Sequence, residues 1–187
     1  MAAVSLRDKQ PAPTLSDAEL HLIGEGNELR LYDKLGAQFR EIDGVHGTAF
    51  AVWAPNAKRV SVVGDFNDWD GRRHVMRCLG DSGVWEVFVP GVGQGAHYKF
   101  ELINAHDRLL LKTDPMGRFF EKAPKSAAIV WDTGGFSWSD DAWLEQRAKQ
   151  NALELPMSIY EVHLGSWRKH NDAESYSYRE LADELVG

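Results

Sequence analysis

The chain has 187 residues, of which 43% are hydrophobic and 26% charged. That is enough for one soluble globular domain of ordinary size plus appendages. The formal charge of -7 argues against nucleic acid as a partner, because phosphate binding needs a clustered basic face. The densest basic spot, Arg72-Arg73-His74, is too short for one and reads as a solvated turn.

A single cysteine, Cys78, excludes an internal disulfide and fits a reducing cytoplasm. No Cys-x-x-Cys, His-Glu-x-x-His or calcium-loop spacing occurs, so neither a metal nor another cofactor is expected. Met1 to Gln10 carries Arg7, Asp8 and Lys9 without an apolar core, unlike a signal peptide, and no apolar run approaches membrane-spanning length.

In chain order, residues 1–35 read as an arm. Thr14 or Ser16 can cap a helix whose apolar side is Leu15, Leu20, Leu22 and Ile23, and a short helical segment over 29–35 stops at Gly36. Residues 36–133 then switch to strand patterning. Gln38–Ile42 and Gly47–Trp53 flank the turn dipeptide Asp43-Gly44. Phe50 and Val52 share one face, and after the break at Pro55-Asn56 so do Val60 and Val62. His74–Cys78, Val84–Val89 and the cleanly alternating Tyr98–Ile103 follow, and Leu109–Leu111 with Ala128–Trp131 is expected as a last strand pair. Trp53 and Trp85, in alternating strands, are expected in the core. Short strands with turn signals about every ten residues predict a mainly β fold, an immunoglobulin-like β-sandwich.

Residues 134–155 read as a linker, with a helix over Asp141–Leu153 ended by Pro156. Met157–Gly165 is nearly continuously apolar, the pattern of a strand buried on both faces of a parallel sheet. Tyr178–Val186 is an amphipathic helix. Residues 156–187 are therefore expected to be the first βα unit of a larger barrel, truncated at Gly187.

Two places could carry chemistry. After Gly64 the strand pattern gives way to a polar loop holding Phe66 and Trp69. A sugar ring can lie flat on an indole while its hydroxyls seek polar edges, and Asn67, Asp68, Lys99 and Glu101 are edge candidates; alternatively, Trp69 is a lid on the core. Glu161 and His163 leave one face of the expected apolar strand, as a structural hydrogen-bonded pair or a functional one. Retaining glycosyl transfer needs two carboxylates about 5 Å apart, and residues 37–133 offer no such pair. Gly91-x-Gly93-x-Gly95 leads into a strand, which speaks against a phosphate-cradling loop.

The segments Phe50-Ala51-Val52-Trp53-Ala54-Pro55-Asn56-Ala57 and Val62-Val63-Gly64-Asp65-Phe66-Asn67-Asp68-Trp69 resemble the family 48 carbohydrate-binding module, an early-set sandwich. Ser158 to Arg168, with Tyr178-Arg179-Glu180-Leu181-Ala182, resembles the first barrel strand and helix of bacterial 1,4-alpha-glucan (glycogen) branching enzymes of glycoside hydrolase family 13. The resemblance implies an enzyme that cleaves an alpha-1,4 linkage through a covalent glycosyl-Asp intermediate and transfers the chain to a 6-hydroxyl. Its catalytic carboxylates would lie on later barrel strands, so none is assigned here. It implies glycogen and malto-oligosaccharides, and the protein's own catalytic barrel, as partners, with Trp69 as stacking platform and Lys99 on the neighbouring strand. A stand-alone glucan module, a structural spacer and a related debranching or trehalose-releasing enzyme are the alternatives.

Overall fold

The computed structural model describes residues 11–186, so Met1 to Gln10 and Gly187 lie outside the described residues. The described chain divides into two compact units, the first ending at Ser137 and the second starting at Trp138.

The first unit opens with α1 (Asp17–Gly24). Ser16 caps it: its hydroxyl accepts the Glu19 N–H at 3.4 Å, and the Glu19 carboxylate accepts the Ser16 N–H at 2.8 Å. This reciprocal box satisfies two amides that the helix leaves free. A 3₁₀ turn at Leu31–Asp33 leads into β1 (Gly36–Ile42). β2 (Val45–Trp53) returns beside it through Asp43 and Gly44. Both turn residues have positive φ, at 52° and 77°, as a two-residue hairpin of this twist needs.

Then come β3 (Ala57–Gly64), β4 (Arg77–Cys78), β5 (Val84–Pro90), β6 (His97–Asn104), β7 (Leu109–Lys112), β8 (Phe119–Phe120) and β9 (Ala128–Ile129). They form two antiparallel sheets: β1-β2-β5-β4, and β3-β6-β9-β8 with β7 also on β6. Phe50, Val52, Val87 and Val89 from the first sheet meet Val60, Val62, Tyr98, Phe100, Ala128 and Val130 from the second. Face-to-face sheets of this kind bury about 1.5–3 kcal/mol per large apolar side chain. The mainly β sandwich read from the sequence is thereby borne out.

The first sheet is covered on its other face too. Leu15, Leu35, Ala51, Leu79 and Val84 form a second buried cluster, joined by Leu20, Ile23 and Leu31. Beneath it the buried Glu86 carboxylate accepts the Thr14 amide and hydroxyl at 3.1 and 2.6 Å and is paired with Arg77 at 2.5 Å. A buried carboxylate is tolerable only with such partners, and these tie the arm to the sheet.

Four expectations are corrected. β7 and β9 do not pair with each other; both bond to β6, β7 along 100–103 and β9 along 97–98. Trp53 is not core: it ends β2 on the face away from Phe50 and Val52, is 57% exposed, and donates its indole N–H to the Ser82 carbonyl at 3.2 Å. Trp85 is half-buried against the core, as its alternation suggested.

The third and fourth corrections fall in the second unit. The helix expected over Asp141–Leu153 stops early, as α2 (Asp141–Ala148), because the Asn151 side chain takes the Leu153 N–H and starts a 3₁₀ turn. α3 (Leu164–Trp167), the hairpin β10 (Lys169–Asn171) with β11 (Glu174–Ser175), and α4 (Tyr178–Val186) follow. The strand expected over Met157–Gly165 does not form; Met157 and Ile159 are 70% and 85% exposed. A strand of a parallel sheet draws its hydrogen bonds from flanking strands, and this segment pairs with none. Glu161 is consequently exposed, and His163 bonds Ser166 Oγ instead. Among the described residues no helix is long and apolar enough to cross a membrane.

Candidate functional site

β3 ends at Gly64, which runs so close to β6 that a Cβ there would stand 2.2 Å from the His97 carbonyl oxygen. The chain then leaves the sheet in a short 3₁₀ turn, Asp65–Asn67. Phe66 turns inward, its ring stacked 5.8 Å from Phe50 and edge-on to His74. Asp68 and Trp69 follow with φ of 57° and 59°, both left-handed. That region costs a residue with a Cβ roughly 1–2 kcal/mol, so two in succession persist only where other contacts hold them.

Those contacts are visible. The Trp69 N–H donates to the Gly64 carbonyl and the Asp70 N–H to that of Asn67, both at 3.1 Å. Asn67 is 1% exposed. Its Oδ1 accepts the Gly64 N–H at 2.9 Å, and its Nδ2 donates to the Val62 carbonyl and to His74 Nδ1, each at 2.9 Å. Accepting at Nδ1 requires a neutral ring, and burial, followed by the charge of Arg73, holds His74 below its ordinary value.

Trp69 is left 39% exposed, with its indole N–H 3.3 Å from Asp65 Oδ1. Asp65 Oδ2 in turn accepts from the His97 ring at 2.7 Å and from the His97 amide at 3.2 Å. Burial opposes the Asp65 charge, yet the bonds from His97 and Trp69 hold its carboxyl below the usual range. One residue pair along, Val63 stands opposite Lys99, whose Nζ donates to Ser126 Oγ at 2.8 Å.

The sequence-derived candidates therefore separate. Trp69 and Lys99 both belong to the Gly64 end of the β3–β6 pair, with the Lys99 ammonium bonded to Ser126. Asn67, expected as an edge partner, has its amide taken up by the loop's own backbone and by His74, so its place is in support. Glu101 is likewise engaged: it pairs with Arg59 at 2.5 Å, and Gly71 lies against it so closely that a Cβ would come within 2.1 Å of its carboxylate. Asp68 is exposed and paired with Arg73 at 2.8 Å. Asp65 and His97 went unnoticed in the sequence. Only the register that sets Gly64 opposite Tyr98 brings them together.

The strained loop thus leaves one indole exposed at the end of a two-sheet sandwich. Residues 34–117 match the family Carbohydrate-binding module 48 (Isoamylase N-terminal domain). Over nearly its whole length the chain also aligns with 1,4-alpha-glucan branching enzymes. It is 60% identical to the enzyme GlgB of Rubrobacter xylanophilus over 175 residues, 93% of this chain and 24% of that protein. It is 53% identical to that of Paramagnetospirillum magneticum over 176 residues, 92% and 24% of the two chains. The chain thus spans about a quarter of the length of these relatives and corresponds to their N-terminal portion. Among solved structures, the pullulanase of Bacillus acidopullulyticus is 21% identical, with 52% of this chain and 12% of that one covered and a TM-score of 0.42.

Proposed function

We propose that the sandwich binds alpha-glucan, with the Trp69 indole as stacking platform and Lys99 as a polar edge partner, in the N-terminal part of a cytoplasmic glycogen branching enzyme. The observation that carries the site is the loop itself. Two left-handed residues, a fully bonded buried amide and a carboxylate on the indole N–H all serve to leave one large aromatic half in water. Backbone strain maintained in this way is found at functional positions. An indole face suits the C–H face of a glucose ring, and a lysine supplies donors for its hydroxyls.

The arm 1–35, the module 36–133 and the linker 134–155 would then stand before a barrel that residues 156–187 begin. The complete protein would cleave alpha-1,4 linkages and reattach chains at 6-hydroxyls, with this chain supplying glucan binding and a packing surface for the barrel. The purified chain is expected to show no turnover in an iodine-stain branching assay; measurable branching would refute that assignment.

The binding site is tested by Trp69→Ala. Base–aromatic and similar stacking contacts are worth about 1–3 kcal/mol per ring, so affinity for glycogen should fall roughly 5- to 150-fold on a glycogen affinity gel. The unfolding midpoint should change little, since the Trp69 N–H and the Asn67 amide that hold the loop are both retained. Equal retention of both proteins would leave the module as a spacer.

A further inference from the structure

His97 starts β6 on the same face as Lys99 and Glu101, and its ring stands between two carboxylates. Nδ1 is 2.7 Å from Asp65 Oδ2, and Nε2 is 3.8 Å from Glu121 Oε1. The Asp65 contact requires a proton on Nδ1, because a carboxylate only accepts. In the neutral ring, Nε2 then turns a lone pair toward Glu121. In the imidazolium both nitrogens carry protons, and both carboxylates attract the ring.

The same Asp65 carboxylate that holds His97 with one oxygen holds the Trp69 indole N–H with the other. Asp65 is further fixed by the His97 amide. On the far side, Glu121 is held by the Ala127 N–H at 3.0 Å and lies 3.5 Å from Lys125. The charged groups around the ring are therefore Asp65 from the loop after β3, Glu121 from the end of β8 and Lys125 from the loop before β9. Lys99, two residues along β6, is bonded to Ser126. The indole edge is thus tied to the sandwich through Asp65, His97 and Glu121.

We propose that His97 is a positioning residue: clasped between Asp65 and Glu121, it holds the Asp65 carboxylate that in turn fixes the orientation of the Trp69 indole, and so sets glucan affinity at that platform. The affinity half rests on the reading of Trp69 as a stacking platform, and the orientation half does not. A half-exposed ion-pair network of this class changes an equilibrium by about two- to fivefold.

The test uses the full chain and two readouts. The Trp69 indole N–H resonance, assigned by its disappearance in Trp69→Phe, is recorded without ligand, and maltoheptaose affinity is measured by calorimetry. In His97→Leu, which removes the donor to Asp65, the resonance should move and affinity should fall about two- to fivefold. In His97→Gln, which keeps a donor at this position, both should return toward the wild-type values, a rescue that mere loss of packing would not give. Glu121→Gln leaves His97 in place and should move the resonance less; it carries the test should His97→Leu not fold. A resonance that is unmoved in His97→Leu and in Glu121→Gln overturns the proposal. A resonance that behaves as expected while maltoheptaose fails to bind overturns the glucan site and upholds the positioning role.

Discussion

Asn67 and Trp69 are two positions apart in one loop, one at 1% and the other at 39% exposure. The first makes the second possible. With Asn67→Ala, the Gly64 N–H and Val62 carbonyl would lose their partners inside a buried turn, and each unsatisfied group costs about 1–3 kcal/mol. Urea unfolding should therefore show a loss of about 2–6 kcal/mol, accompanied by weaker glycogen retention although the Asn67 amide is spent within the loop. A variant as stable as the wild type would remove Asn67 from this role. A polar residue beside an aromatic in a loop looks from the sequence like a ligand contact. Whether its amide faces solvent or its own backbone depends on a local conformation that the residue letters do not encode. Phe66 and Trp69 were equally ambiguous for the same reason, and packing against Phe50 separated them.

At the scale of elements, local signals translated well and long-range ones poorly. The Ser16 cap, the Asp43-Gly44 hairpin and the α4 span all depend on residues within a few positions of each other, and all three formed as read. The partner of β7 depends on how the whole sheet assembles, and β6 won it. The α1 cap also gives a pH dependence. Its Glu19 is held down to about 2, from 4.5, first by the Lys34 hydrogen bond and then by the Ser16 bonds. A carboxylate depressed on folding adds stability that is complete above its unfolded value and is lost as pH falls from about 4.5 toward 2. Glu19→Gln should thus be less stable than the wild type at pH 7, by about 1 kcal/mol or less. The gap should close by pH 2 in urea titrations at both pH values, and a gap independent of pH would show that the charge contributes nothing.

For the whole molecule, the sandwich and its covering arm form one compact unit up to Ser137, with two apolar clusters complete within it. Removing residues 138–187 should leave the thermal midpoint of this unit within a few degrees of the full chain and keep glycogen retention. A truncated protein without a cooperative transition would show that the second unit is needed for folding. The apolar run Met157–Gly165 marks the limit of pattern reading. Its composition says strand, but its neighbours in space decide whether a ladder exists, and in this chain it stays exposed. The sequence by itself determined the sandwich class, most strand positions, the capping of α1 and the aromatic loop, because alternation, turn chemistry and caps act over a few residues. The tertiary structure alone decided that Trp53 is exposed, that Asn67 is a support, and that Asp65 and His97 meet at Trp69. The first and last depend on register and burial between segments some thirty residues apart, where no local pattern reaches; the second depends on a turn conformation that side-chain bonds to the nearby backbone set and periodicity does not.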